Sequence, residues 1–329
     1  VEVVITKDGP RRLQIVFFTA QHVTLHRIIG KMLDVPAKSV DKVIATLQAV
    51  SSLVSVHSDI GGDMPAAEST PADSRLHIHL LPHQGGLRVE HYVRPFGDDG
   101  PFFRPGQGGT NVFATLEGKP RSASRDLKKE KQRLADLLDQ CSLLDEPDDN
   151  EPDYFPTPEE SLEMLLQLED YNTSHEHALV LHWPQGQSLT LAGRATASQF
   201  QIQIRRDRDW FAASGSLKVD QSLSIDMLKL IDLVGTSPAR FVKLDDGRFL
   251  ALTDQLRKRI DDLSQFGERQ KTKLRFPAVR AAAFEDMGDI QINADVHWKA
   301  CVERMRSAAD VQPVVPSTLQ TELRDYQKE

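Results

Sequence analysis

The chain has 329 residues, of which 40% are hydrophobic and 27% are charged, with a net charge of −8. This length exceeds what one hydrophobic core usually supports, so a soluble protein of several domains is predicted. The negative charge argues against a dedicated nucleic-acid-binding protein, and two distant cysteines, Cys141 and Cys301, argue against a disulfide framework and for the cytoplasm. The first apolar run ends at Lys7, too short for a signal peptide or a membrane span.

The first 120 residues combine strand and helix patterns. The predicted elements are a strand at Leu13–Phe18, apolar helical stripes at Leu25–Leu33 and Val40–Val50 (the latter capped by Ser39), strands at Arg75–Leu80 and Leu87–Val93 around a Gly85–Gly86 turn, and a strand at Asn111–Leu116. Gly61–Asp73 and Phe96–Gly109 are rich in turn residues and are predicted to be loops.

The rest of the chain alternates between helical and strand patterns. The predicted helices are Ser122–Leu144, Glu159–Leu168 (capped by Thr157), Ser224–Val234, Asp254–Phe266 (capped by Thr253), Ala278–Asp286 and Asp295–Ser307. The predicted strands are Ala178–Trp183, Ser188–Ala192, Gln199–Arg205, Gly215–Val219, and a hairpin of Phe241–Leu244 with Arg248–Leu250.

These patterns predict an α+β protein of several domains, built from short antiparallel sheets with flanking helices. Asp145–Glu160 contains eight acids, four prolines and no Lys or Arg, which is typical of an exposed linker. The predicted divisions are an N-terminal α+β domain at 1–118, a helix and acidic linker at 119–160, a β-rich accessory domain at 161–310, and a lead-in with one helix at 311–329.

The histidines raise the possibility of a metal site. His77 and His79 share one face of a predicted strand, and His91 on the next strand could join them; His175, His177 and His182 form a second group. Histidines on the exposed face of a sheet are the more common explanation, and the sequence predicts no metal site. It contains no Asp-x-Asp-x-Asp-Gly calcium loop, no Gly-x-Ser-x-Gly nucleophile elbow, and no strand leading into Gly106–Gly109 that would indicate a phosphate cradle.

A basic stretch between Gln255 and Arg280 offers the best hint of DNA contact. It holds eight Lys or Arg against three acids, a local charge of +5. Such a stretch can bind phosphates with an affinity that falls with salt, or it can be a solvated helix face with pairs such as Arg257–Asp261. The candidate DNA-contacting residues are Arg257, Lys258, Arg259, Arg269, Lys271, Lys273 and Arg275.

Trp210 and Phe211 follow three arginines, a mixture that can clamp a nucleic-acid strand. Adjacent strand residues point to opposite faces, so one of the two rings is expected to lie in the core.

Three segments resemble the region that precedes the motor in bacterial Swi/Snf-type ATPases, which are helicase-like proteins of superfamily two. They are Asp209–Asp220, Arg240–Thr253 and the C-terminal Leu-Arg-Asp-Tyr-Gln-Lys-Glu at 323–329, which resembles the family's Q motif. The resemblance is strongest from Asp209 to Glu329 and looser through Leu87–Pro95 and Arg125–Glu130. No Walker-type phosphate loop occurs in the 329 residues, so the motor is expected to begin near Ser317 and to lie almost wholly beyond Glu329.

The resemblance implies a non-catalytic accessory or regulatory region of an ATP-dependent DNA translocase. It implies that Gln327 would contact the adenine of ATP, that ATP and Mg²⁺ serve the full-length protein, and that DNA is the partner of the whole. This fragment is expected to hydrolyse no ATP and to need no cofactor. The alternative is a protein-interaction module, using the β-rich region at 75–116, that contacts no nucleic acid.

Overall fold

The computed structural model describes residues 2–7, 13–29, 35–51, 53–54, 56–58, 68–144, 152–176, 178–237, 239–284 and 287–309. They form two compact units, Val1–Ser188 and Leu189–Glu329. Helices flank several short, mostly antiparallel sheets in both units, which confirms the predicted α+β class. Residues 161–188, which the sequence grouped with the second domain, belong to the first unit.

The first unit is built from short strands and helices. Its strands are β1 (Glu2–Lys7), β2 (Leu13–Phe18), β3 (Val56–Ser58), β4 (Glu68–Pro71), β5 (Leu76–His83), β6 (Gly86–Val93), β7 (Asn111–Leu116), β8 (Lys119–Ser124), β9 (Asp153–Phe155) and β10 (Leu179–His182). Its helices are α1 (Ala20–Ile29), α2 (Val40–Val50), α3 (Leu127–Gln140) and α4 (Pro158–Ser174).

These strands form three sheets: the hairpin β1-β2, a sheet in the order β10-β5-β6-β9, and a sheet in the order β3-β7-β8-β4. The predicted hairpin of β5 and β6 is confirmed, and its turn depends on Gly85, whose positive φ of 98° a glycine adopts without strain. The predicted cap of α4 is also confirmed, because the Thr157 hydroxyl accepts from the Glu160 N–H at 3.2 Å. Ser39 does precede α2, but its side chain makes no capping hydrogen bond.

Three boundaries in the first unit differ from those predicted. The helix expected from Ser122 begins at Leu127, because β8 pairs with β7 and the Asp126 carboxylate caps the helix. The end of the predicted acidic linker forms β9, which pairs with β6 and buries Phe155. The predicted loop at Gly61–Asp73 contains β4, which runs parallel to β8.

The second unit combines two sheets with three described helices. Its strands are β11 (Leu191–Ala195), β12 (Phe200–Asp207), β13 (Trp210–Lys218), β14 (Ser224–Asp226), β15 (Phe241–Lys243), β16 (Phe249–Leu252), β17 (Glu268–Gln270), β18 (Lys273–Pro277) and β19 (Gln291–Ala294). Its helices are α5 (Met227–Thr236), α6 (Asp254–Phe266) and α7 (Val296–Ala309). The larger sheet has the order β17-β18-β13-β12-β19, with β14 also paired to β13, and the smaller has the order β11-β16-β15.

One hydrophobic core holds the second unit together. Phe200, Ile202 and Ile204 of β12 point into it, as does Phe276 of β18, and all four are fully buried. The three helices cover this inner side of the larger sheet, so that its other face is left open to solvent.

Several predictions for the second unit are confirmed and others are corrected. The β15-β16 hairpin and the Thr253 cap of α6 are present as predicted. The helix expected from Ser224 begins at Met227, because Ser224–Asp226 pairs with β13 as a strand. The segment from Ala278 is a 3₁₀ helix that ends at Phe284, and the β17-β18 hairpin was not predicted.

Every described helix is too short or too polar to cross a membrane.

Candidate nucleic-acid interface

The open face of the larger sheet in the second unit is the candidate functional surface. Along β12 the buried residues alternate with exposed Gln201, Gln203 and Arg205, as expected of a strand with one face on a core. The strand register places Gln201 beside Ser216 and Arg205 beside Ala212. We call this surface the outer face; its polar and aromatic side chains are Gln201, Gln203, Arg205, Asp207, Trp210, Ser214, Ser216, Glu268, Gln270, Lys273, Arg275, Gln291 and Asn293.

Uncharged amides dominate one side of the outer face. The Gln201 side chain donates a hydrogen bond to the Gln291 side chain at 3.1 Å, and Gln203 lies beside Asn293. Each amide carries both a donor and an acceptor. This side can therefore bond to phosphate oxygens or to polar groups of a protein.

A small charged cluster lies on the other side of the outer face. Asp207 accepts a hydrogen bond from Lys273 at 2.7 Å and lies 3.2 Å from the Arg275 guanidinium. The Lys273 hydrogen bond is the main cause that lowers the pKa of the Asp207 carboxyl, and the charges of Lys273 and Arg275 add to it. Two cations share this carboxylate, and Glu268 of β17 lies beside Arg275, so the charges on this side of the outer face balance.

The rings of Trp210 and Phe211 divide as the strand pattern predicted. Phe211 is buried against Phe276 and Trp298, with its ring centroid 5.0 Å from that of Trp298. Trp210 is half-buried on the outer face, with the Arg275 guanidinium 5.0 Å from its ring centroid. Only the tryptophan is therefore placed to touch a ligand on this face.

The seven basic residues singled out in the sequence do not form one patch. Lys273 and Arg275 lie on the outer face, and Lys271 occupies the turn between β17 and β18. The other four lie on the side covered by helices: Arg257, Lys258 and Arg259 on α6, and Arg269 facing α5. The local charge of +5 is therefore distributed over two sides of the unit.

Ion pairs neutralise most of the cations on the helical side. Arg259 pairs with Asp289 at 3.0 Å, and Arg269 pairs with Asp232. Arg257 lies 3.9 Å from Asp261, as the solvated-helix alternative expected, and also donates to two backbone carbonyls. These guanidinium groups would have to leave their own partners to reach a phosphate.

Arg205 was not among the candidate DNA-contacting residues predicted from the sequence, where it appeared only as one of the arginines before Trp210. It is exposed in the middle of the outer face, and within the described part of the chain no ion pair is found for it. The signal that could have found it is the alternation Gln-Ile-Gln-Ile-Arg at 201–205, which predicts a polar strand face.

The histidines divide differently from the two groups considered in the sequence. The parallel pairing of β10 with β5 brings His182 beside His77 and His79, and the His77 Nδ1 atom lies 2.8 Å from the His182 Nε2 atom. His91 lies on the opposite face of the sheet, 3.8 Å from Asp153. His175 stacks on Tyr171 at the end of α4, and His177 lies outside the described residues.

The cluster of His77, His79 and His182 packs around the Phe102 ring; His77 is fully buried and the other two are half-buried, which corrects the expectation that these histidines lie on an exposed sheet face. The three imidazoles meet that ring edge-on, with centroid distances of 4.5–5.7 Å, and the Arg94 guanidinium lies 4.7 Å from its centroid. Burial is the main cause that lowers the pKa of His77 and His79 to about 4, and His182 adds to it. Across the described ranges, no group of three or more His, Cys, Asp or Glu is arranged to hold a metal ion.

The glycine-rich loop after β6 is held by a buried ion pair. The Gly106 N–H donates to the Glu130 carboxylate at 2.8 Å, and Glu130 also accepts from the Arg125 guanidinium. The amide of Gly106 is thus directed at a buried carboxylate of the protein. This loop does not form a phosphate cradle.

Gln327 and the rest of 310–329 lie outside the described residues, as does the acidic stretch at 145–151. No protein-family model matches this chain, and no curated protein matches it.

Proposed function

We propose that this chain is the non-catalytic accessory region of a Swi/Snf-type ATP-dependent DNA translocase, and that it contacts DNA through the outer face of its second unit. The family part of the proposal rests on the resemblance at 209–220, 240–253 and 323–329. Within it, ATP and Mg²⁺ belong to the full-length cytoplasmic protein, and Gln327 contacts adenine there. The DNA part rests on the exposed Arg205 among uncharged hydrogen-bond donors on an open sheet face.

The chemistry of the outer face suits a phosphate backbone. About half to two-thirds of protein–DNA hydrogen bonds go to phosphate and sugar, from Arg and Lys and from uncharged side chains such as Gln, Asn and Ser. Arg205 supplies a charge; Gln203 lies two positions earlier on the same strand, and Ser214 lies opposite Gln203 on the neighbouring strand β13. A protein that binds DNA through contacts of this kind shows little sequence preference, and its affinity falls as the salt concentration rises.

The test compares one charge reversal on each side of the second unit. Arg205→Glu changes the outer face, and Lys258→Glu makes the same change in charge at an exposed position of α6. Fluorescence anisotropy with a labelled DNA duplex would be measured at about 50 mM and about 200 mM salt. Arg205→Glu should lower the affinity for DNA on the order of tenfold. It should also reduce the slope of log affinity against log salt concentration by about the value expected for one phosphate contact, while Lys258→Glu should change both quantities little.

Two results would refute DNA contact through this face. The first is no binding by the wild-type chain even at low salt, and the second is an equal loss of affinity in the two variants. Circular dichroism of both variants serves as the check that each is folded.

A protein-interaction module without nucleic-acid contact is the second candidate. In the region at 75–116 that the sequence suggested for it, strands β5, β6 and β7 are buried or half-buried at every position except Pro82. The exposed apolar side of the β1-β2 hairpin favours it instead. Absence of DNA binding by the wild-type chain, even at low salt, would support the second candidate over the first.

A further inference from the structure

The hairpin of β1 and β2 has two different faces. Register pairs Val3 with Phe17 and Ile5 with Ile15 on one face, and Val4 with Val16 on the other. The face with Val4 and Phe18 borders a cavity of about 520 Å³ that residues of α1 also line, and Val4 there is still 48% exposed. The opposite face is not covered by any described element.

Five large apolar side chains are exposed on this uncovered face. The exposed fractions are 47% for Val3, 60% for Ile5, 62% for Leu13, 50% for Ile15 and 65% for Phe17. We call these five side chains the apolar face. Single exposed apolar residues are ordinary, but a contiguous group of this size marks an interaction surface.

The hairpin has little support from its own surroundings. None of the described residues of α1 is buried, and the described side chains of β1 and β2 are exposed or half-buried. A two-stranded hairpin is marginally stable at best in water unless it packs against further apolar surface. A partner that covers the apolar face would supply this surface.

We propose that the apolar face packs against the same face of a second copy of this chain, about a two-fold axis parallel to the strands. Such an axis places β1 of one copy over β2 of the other at the usual distance of about 10 Å between packed sheets. Val3 then meets Phe17 of the partner, and Ile5 meets Ile15, so that a small side chain faces a large one at one end. The five apolar side chains need no charged group from the partner; Lys7, which pairs with Leu13, stands at the end of the strands, beyond Ile5 and Ile15.

The available area fits a weak dimer. Exposures of about a half to two-thirds on five large side chains leave roughly 500 Å² per copy, or about 1,000 Å² for the pair. This area is near the lower limit for a specific interface, so we expect a dissociation constant on the order of micromolar. The proposal is independent of DNA contact through the outer face, which lies on the other unit.

The test is sedimentation equilibrium of the 329-residue chain from about 1 µM to about 200 µM. The wild-type chain should shift from monomer to dimer over this range. Ile15→Lys should shift dissociation at least about tenfold toward higher concentration, because it places a charge at the centre of the interface. Val279→Lys, a control at an exposed position in the second unit, should leave the dimer unchanged.

Ile15→Thr keeps a β-branched side chain, which favours the strand, so this variant tests the interface with the hairpin still folded. It should weaken the dimer measurably, but less than Ile15→Lys does. A monomer at every concentration would overturn the proposal. So would a dimer whose dissociation constant is unchanged by both substitutions at Ile15, or one that Val279→Lys weakens equally.

Discussion

The buried pair of Arg125 and Glu130 offers the sharpest test of how the first unit is held together. Both side chains are fully shielded from solvent, and the Arg125 guanidinium donates to both Glu130 carboxylate oxygens, at 3.0 and 2.6 Å. It also donates to the carbonyls of Gln107 and Arg104, at 2.8 and 2.9 Å. One side chain therefore ties the glycine-rich loop to the start of α3.

Replacing Arg125 with methionine would leave the Glu130 carboxylate in the core with only the Gly106 N–H as a described partner. Breaking a buried pair in this way typically costs about 3–5 kcal/mol, because the remaining charge is neither solvated nor paired. The double variant Arg125→Met/Glu130→Met removes both charges and should recover at least about 2 kcal/mol of that loss. It should not recover all of it, since three backbone groups of the loop also lose their partners.

The assay is urea unfolding followed by hydrogen exchange with mass spectrometry, read on peptides of the first unit. A local readout is needed because two units need not unfold together. Arg75→Met serves as the control. Arg75 pairs with Asp73 at 2.6 Å, but its side chain is 43% exposed, so this substitution should lower the free energy of unfolding by about 1 kcal/mol or less. A cost for Arg125→Met as small as that of the control, or no recovery in the double variant, would refute the reasoning.

Two further predictions concern the core of each unit. The pKa values of His77, His79 and His91 lie near 4 in the folded protein, below the ordinary 6.5, with burial as the main cause. As the pH falls below 6.5, the histidines of the unfolded chain are protonated before those of the folded chain. The free energy of unfolding of the first unit should therefore be highest above pH 6.5 and should decrease toward pH 4, by about 1 kcal/mol per pH unit for each independent histidine. A free energy of unfolding that stays constant across that window in urea titrations would contradict this. In the second unit, Phe211→Ala should lower the free energy of unfolding by about 3–5 kcal/mol and Trp210→Ala by only about 1–2 kcal/mol, because only Phe211 lies in the core. Equal losses in urea unfolding would contradict the assignment of the two rings to opposite faces.

Elements with strong local signals were predicted well from the sequence. The Thr157 cap of α4, the Thr253 cap of α6, and the β5-β6 turn at Gly85 each depend on residues within a few positions of one another. Helix α6 also shows the regular burial of Leu256, Ile260 and Leu263 that its spacing predicts. The physical causes of these features are local, so the sequence contains them.

Short strands that pair with distant partners were missed. Strand β9 has only three residues in an acidic stretch, and it forms because Phe155 is buried beside β6, more than sixty positions earlier. Strand β18 is rich in Lys and Arg, which suggested DNA contact or a solvated helix face, yet Leu274 and Phe276 alternate with these cations and reach the core. Such strands gain their stability from tertiary packing, which local propensity does not record.

The same distinction applies to the candidate site. By itself the sequence determined that Phe211 and Trp210 lie on opposite faces and that 255–280 is basic, since alternation and charge are properties of adjacent residues. Only the tertiary structure decided which cations meet which acids: Arg269 is paired with Asp232 and Lys273 with Asp207, partners 37 and 66 positions away in the chain. Only the order of the strands set Gln291 and Asn293 beside Gln201 and Gln203, because residues so far apart meet through sheet pairing alone.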